Sequence, residues 1–177
     1  MTYPFLKKMD IFHIIKTLVC PNEICESVED IDTDMLLQKG IETVYLDIDN
    51  TLVSLHQRQL SLEKIEWVES LKTQGFSVFL LSNNRSKARV QRICKQLNIK
   101  GVYWAAKPFP FSLREVAEEQ GVNLRKSAVV GDQVFTDVLV GNWVGSHSIL
   151  VEPLDKRLSF IKTWQRELEL AIMSKFS

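Results

Sequence analysis

The sequence predicts an α/β fold, a doubly wound parallel sheet of about five strands with helices on both faces. Three observations predict it. From residue 43 onward, short apolar runs alternate with segments of helical period. The runs are near-continuously apolar, as strands covered on both faces are. The polar residues Asp47, Ser82, Lys107 and Asp132 gather at or just beyond the ends of these runs, where such a sheet binds its ligands.

Each element has its own signal. Thr43-Val44-Tyr45-Leu46-Asp47 is a β-type run ending on an acid. Leu62 to Thr73 carries apolar residues at 62, 65, 67, 68 and 71, which is helical spacing, and Gly75 stops it. Ser77 to Leu81 is a second strand, and Ser86 to Leu97 an amphipathic helix. Gly101 to Trp104 is a third, weaker strand, and Phe111 to Gln120 a helix stopped by Gly121. Ala128-Val129-Val130 runs into Gly131-Asp132 as a fourth strand. Val134 to Gly141 is a short helix, and Ser148 to Val151 a fifth strand.

The organisation is a single domain over 1–177, with a core at 41–153. A helical extension covers 1–40, with one helix at Phe5 to Val19 and a second short one within Ser27 to Lys39. A helical segment covers 154–177, where Leu158, Ile161, Trp164, Leu168 and Ile172 recur at roughly helical spacing.

Composition narrows the function. The chain has 177 residues, 45% hydrophobic and 25% charged, which suits one globular domain and excludes whole-chain disorder. Lys+Arg and Asp+Glu are 22 each, so nothing suggests a nucleic-acid partner bound by bulk charge. No run approaches the ~18 apolar residues of a membrane-spanning helix. Cys20, Cys25 and Cys94 form no CxxC pair, and His13, His56 and His147 lie far apart, so a disulfide scaffold or zinc site is not expected. A cytoplasmic setting fits, with no cleavable leader read at the start.

Asp47-Ile48-Asp49-Asn50-Thr51 is the strongest chemical signal. Alternation puts Asp47 and Asp49 on one side of an extended segment. Their mutual repulsion makes a hard cation such as Mg²⁺ a natural partner. One carboxylate can attack phosphorus while the other handles protons. Taken alone, the pair is equally a solvated turn with a capping acid. Ser82 and Asn83 stand where a helix begins, suited either to phosphate or to N-capping. Lys107, between Ala106 and Pro108, can neutralise phosphate and hold a nucleophilic carboxylate, or be a surface lysine. Asp132 would complete a metal site, and Asp137 would orient Lys107 or a metal-bound water; alone, Asp137 caps a helix equally well.

In this order, the four motifs resemble the haloacid dehalogenase superfamily of phosphohydrolases. The resemblance implies a Rossmann-like sheet and one Mg²⁺. It implies Asp47 as nucleophile, Asp49 as general acid/base, and Ser82, Asn83 and Lys107 around the phosphoryl group. Asp47, Asp132 and the backbone carbonyl of Asp49 would hold the metal, with Thr51 and Asp137 in support. The 35 positions from Asp47 to Ser82 and the 24 from Asn83 to Lys107 are filled by core elements. No inserted cap fits, so the site is open or covered only by Val53 to Leu60 and a partner.

Ile31-Asp32, Leu36, Gly40-Ile41, Ser82-Asn83-Asn84, Ala106-Lys107-Pro108, the run from Val130 to Val138 and Arg166-Glu167 resemble one capless subfamily more closely. It comprises bacterial phosphatases related to mitochondrial and plastid phosphatidylglycerophosphate phosphatases. The implied substrate is that phospholipid's head group at a membrane surface. Trp164-Gln165 departs from the polar pair expected before Arg166. A stripe of Phe5, Leu6, Met9, Phe12, Ile15 and Val19 with Lys7, Lys8 and Lys16 either lies on the inner face of a membrane or packs on the core. The alternatives are a capless phosphatase of a soluble sugar, nucleotide or protein phosphate, and a receiver-like phospho-acceptor domain.

Overall fold

The computed structural model describes residues 16–155. All but residues 154–155 of the predicted C-terminal segment, with Arg166, and all but residues 16–19 of the first predicted helix, lie outside them; residues 16–19 are helical. The described residues form one parallel sheet of six strands. They are β1 (Glu23–Cys25), β2 (Thr43–Leu46), β3 (Ser77–Leu81), β4 (Lys100–Val102), β5 (Ser127–Gly131) and β6 (His147–Val151), in the order β1-β6-β5-β2-β3-β4. The helices that carry the argument are α1 (Thr33–Gln38), α2 (Leu62–Thr73), α3 (Lys87–Leu97), α4 (Phe111–Gln120) and α5 (Leu139–Val144).

Alternation along the strands builds a core on each face. Val44, Leu46, Leu80, Val130 and Ile149 pack with Val68 and Leu71 of α2 and Val90 and Ile93 of α3. Tyr45, Phe79, Leu81 and Val129 point the other way, onto Leu113 and Ala117 of α4 and Val140 of α5. Each such buried aliphatic or aromatic side chain contributes roughly 1.5–3 kcal/mol by leaving water. The strand ends that carry the polar residues are therefore anchored from both sides. Helix starts follow the caps: Ser61 Oγ accepts from Lys64 N (3.4 Å) and Ser86 Oγ from Arg89 N (3.3 Å).

Three elements differ from expectation. The sixth strand, β1, is only three residues long and shows no alternation to read. Its place at the edge is fixed by side chains: Asn22 Oδ1 accepts from Ser148 N (2.8 Å), and Ser148 Oγ donates to Asn142 Oδ1 (2.7 Å). The predicted strand Gly101 to Trp104 ends at Val102, because Trp104 takes a left-handed backbone (φ 50°). The helix predicted over Val134 to Gly141 begins as a wide π-type turn (Val134–Val138), continues as α5, and stops at Gly145 (φ 79°).

Candidate active site

From β2 the chain winds outward through β3 and β4, then crosses back to β5 on the other side of β2. The carboxyl ends of β2 and β5 therefore flank the switch point, where a doubly wound sheet opens a crevice. Asp47 leaves β2 with its N–H donating to Val130 O (2.9 Å), and Asp132 leaves β5 beside it. The loop after β4 brings Lys107 in from the opposite side.

Lys107 is the hub. Its buried Nζ donates to Asp47 Oδ1 (2.7 Å) and to Asp137 Oδ1 (2.5 Å). Burial opposes the ammonium charge, but Asp137 and Asp47 outweigh it and raise its pKa above the usual lysine range. Burial pushes Asp47 up to about 6; Lys107 offsets part of that, and Asp137 adds to it. Burial, then repulsion from Asp137 and Asp47, pushes Asp132 up to about 7. Carboxylate oxygens of Asp47, Asp132 and Asp137 lie within 4.8 Å of one another. Three acids share one ammonium, so the cluster lacks positive charge and offers hard oxygen donors. Those donors fit a divalent cation such as Mg²⁺.

Asp137 is set in place by backbone. In the wide turn, Asp137 N and Val138 N both reach Gln133 O (2.9 and 3.3 Å), and Asp137 Oδ2 accepts from Gln133 N (3.1 Å). A single π-type turn often marks a functional site. Here it points an acid inward that a regular helix would carry elsewhere. Gly131 leaves the room: a Cβ there would meet Asp137 Cγ at 2.2 Å.

The other predicted residues separate into two groups. Ser82 is buried at the end of β3, where its Oγ accepts from Asn84 N (3.1 Å). Thr51 Oγ1 donates to Asp132 Oδ1 at 3.4 Å. Asn83 spends its side chain on the lysine loop: Oδ1 accepts from Lys107 N (2.8 Å) and Nδ2 donates to Lys107 O (2.9 Å). It positions Lys107, which leaves only its backbone N–H for a phosphate.

Asp49 does not join the acidic cluster. The chain turns after β2 through Asn50 (φ 66°), and the Asp49 carboxylate faces α3. Asp49 Oδ2 accepts from Asn84 Nδ2 (2.7 Å) and Oδ1 from Arg89 Nε (2.8 Å). Arg89 also donates to Gln57 O (2.6 Å) and Ser54 O (3.0 Å). It thus ties Asp49 to the exposed segment between the buried anchors Val53 and Leu60. Sequence reasoning missed Arg89, which stands among the cations of an amphipathic helix and carries no mark of its own.

A buried acid held by lysine at a switch point, with no domain inserted between β2 and β4, is the arrangement expected of a capless hydrolase of the haloacid dehalogenase type. The chain belongs to the haloacid dehalogenase-like hydrolases, matching that family over residues 27–145. Over 161 residues it is 32% identical to the probable phosphatase YqeG of Bacillus subtilis (strain 168), covering 91% of this chain and 93% of that protein. Over 170 residues it is 25% identical to phosphatidylglycerophosphate phosphatase 1, chloroplastic/mitochondrial, of Arabidopsis thaliana, covering 91% of this chain and 49% of that protein.

Solved structures share the fold. One is the 3-deoxy-D-manno-octulosonate 8-phosphate phosphatase of Moraxella catarrhalis in complex with magnesium, phosphate and KDO. It has a TM-score of 0.51 and 17% identity, over 81% of this chain and 99% of that one. Another is the cobalt-bound deoxy-D-mannose-octulosonate 8-phosphate phosphatase (YrbI) of Haemophilus influenzae, with a TM-score of 0.53 and 17% identity, over 64% and 69%. Family membership replaces the receiver-like alternative. Among the described residues, no helix is long and apolar enough to cross a membrane.

Proposed function

We propose that the chain is a Mg²⁺-dependent phosphomonoesterase that converts phosphatidylglycerophosphate to phosphatidylglycerol and phosphate at a membrane surface. The observation that carries the chemistry is the buried Asp47–Lys107–Asp137 chain with Asp132 beside it. Lys107 keeps one Asp47 oxygen engaged and leaves the other to attack phosphorus. The P–O bond to the leaving alcohol breaks as the bond to Asp47 forms, and Asp49 donates a proton to the leaving oxygen. Asp49 then takes a proton from water, whose oxygen displaces Asp47 and releases phosphate. Both proton steps require the Asp49 carboxylate to turn from Arg89 and Asn84 towards the site. Ser82 and the N–H groups where β3 gives way to α3 would bind the phosphoryl oxygens. Asp47, Asp132 and the Asp49 carbonyl would hold Mg²⁺, whose chemistry is neutralisation of phosphoryl charge.

The lipid substrate is supported by the Arabidopsis relative and by a site open enough for a head group still attached to its lipid. The test is phosphate release by purified protein from phosphatidylglycerophosphate in detergent micelles, beside a panel of sugar, nucleotide and peptide phosphates. Faster turnover of the lipid supports the reading. Turnover of a soluble ester alone would replace the substrate and keep the chemistry.

A further inference from the structure

We propose that the loops around the mouth of the site form a docking face for an anionic lipid bilayer; the proposal rests on the lipid-substrate reading and deepens it. All six strands are parallel, so the loops after β2, β3, β4 and β5 emerge on one edge of the sheet. Leu55 follows β2, Trp104, Phe109 and Phe111 at the start of α4 follow β4, and Phe135 follows β5, each between 51% and 72% exposed. Single exposed apolar residues are ordinary on a protein surface. Five large ones at one edge, in a chain with two buried cores, are a binding surface.

These side chains are also arranged. The rings of Phe109 and Phe111 stack with centroids 6.4 Å apart. Trp104 is held by its N–H donating to Asn84 O (3.0 Å), beside the end of β3. Its left-handed backbone ends the strand and projects the indole outward.

Charge selects the occupant. The Arg85 guanidinium lies 5.6 Å from the centre of the Trp104 ring, and the Lys87 ammonium lies 5.6 Å from that of Tyr103. Between the end of β3 and the first turn of α3 the chain carries Arg85, Lys87 and Arg89 and no Asp or Glu, Arg89 being paired with Asp49. Rings that enter the head-group boundary, flanked by cations that meet lipid phosphates, are the two components of interfacial binding. A neutral apolar protein partner would leave the cations without counter-charges.

The test uses the full chain and two double variants, F109S/F111S and R85E/K87E. It measures co-sedimentation with vesicles of phosphatidylcholine alone and of phosphatidylcholine with phosphatidylglycerol. The wild type should bind the anionic vesicles and release with salt. Each double variant should bind at least about tenfold less. F109S/F111S should hydrolyse a soluble aryl phosphate at the wild-type rate, since neither ring belongs to the catalytic machinery. Wild-type protein that ignores anionic vesicles, or F109S/F111S protein that binds them equally well, would overturn the proposal. So would light scattering showing a wild-type dimer that F109S/F111S turns into a monomer. Hydrolysis of the lipid in micelles needs no bilayer: failure there, with vesicle binding intact, removes the substrate and leaves the docking face.

Discussion

Buried Asp47 and partly buried Asp132, both held above their ordinary pKa, make the stability of the metal-free protein depend on pH. Asp47 sits near 6 and Asp132 near 7, against roughly 3.9 in the unfolded chain. Between those values the folded state binds more protons than the unfolded one. The stability these groups contribute is therefore fully present below about pH 4 and lost as pH rises through about 6 and 7. In chelator, the melting temperature should fall across that window, and Mg²⁺ should restore it most at the upper end. Mg²⁺ binding near pH 6.5 should also release protons, readable by titration calorimetry in buffers of different ionisation enthalpy. Arg89 acts through Asp49. Since Arg89 holds the Asp49 carboxylate off the site, Arg89→Ala should leave kcat unchanged or raise it and shift its pH profile, with Arg89→Lys closer to wild type, as steady-state kinetics across pH would show. These residue-scale dependences were only half legible in the sequence. Asp47, Lys107 and Asp132 converge as their positions at or beyond strand ends suggest. Asp49 shares their motif yet faces α3, where Asn84 and Arg89 hold its carboxylate.

At the scale of elements, the wide turn after β5 does the most to shape the site. It places Asp137 against Gly131 and under Lys107 with no space to spare. Gly131→Ala should push the carboxylate away, costing about 1–3 kcal/mol of stability and most of the activity. Thermal unfolding and phosphate release on the same preparation check both parts. Sequence patterns found α2 and α4 with their stopping glycines, because amphipathic spacing and capping are local signals. They could not show the π-type turn, which differs from a regular helix only in where its N–H groups bond. Nor could they show β1, whose three residues hold their register through Asn22 and Ser148 rather than through an apolar pattern.

At the scale of the molecule, the strand order explains why residues 85 positions apart in sequence, Asp47 and Asp132, meet at one crevice. The near-continuous apolar strands announced a sheet covered on both faces, and the spacing between motifs announced that nothing is inserted above it. What composition could not reveal is the rim. Trp104, Phe109 and Phe111 follow β4 and Phe135 follows β5, and they share an edge only because the strands run parallel. The account as a whole depends on Asp47 forming a bond to phosphorus. Asp49→Asn should slow hydrolysis of ordinary esters by about 10²–10⁴-fold, and should slow phosphoenzyme breakdown as well. The most direct measurement is acid-quench mass spectrometry of the D49N protein after mixing with Mg²⁺ and an aryl phosphate, whose leaving group needs no acid. The predicted result is one phosphoryl group on Asp47, absent from the D47N/D49N double variant; a phosphoryl group on another residue, or undiminished turnover by D47N, would contradict it.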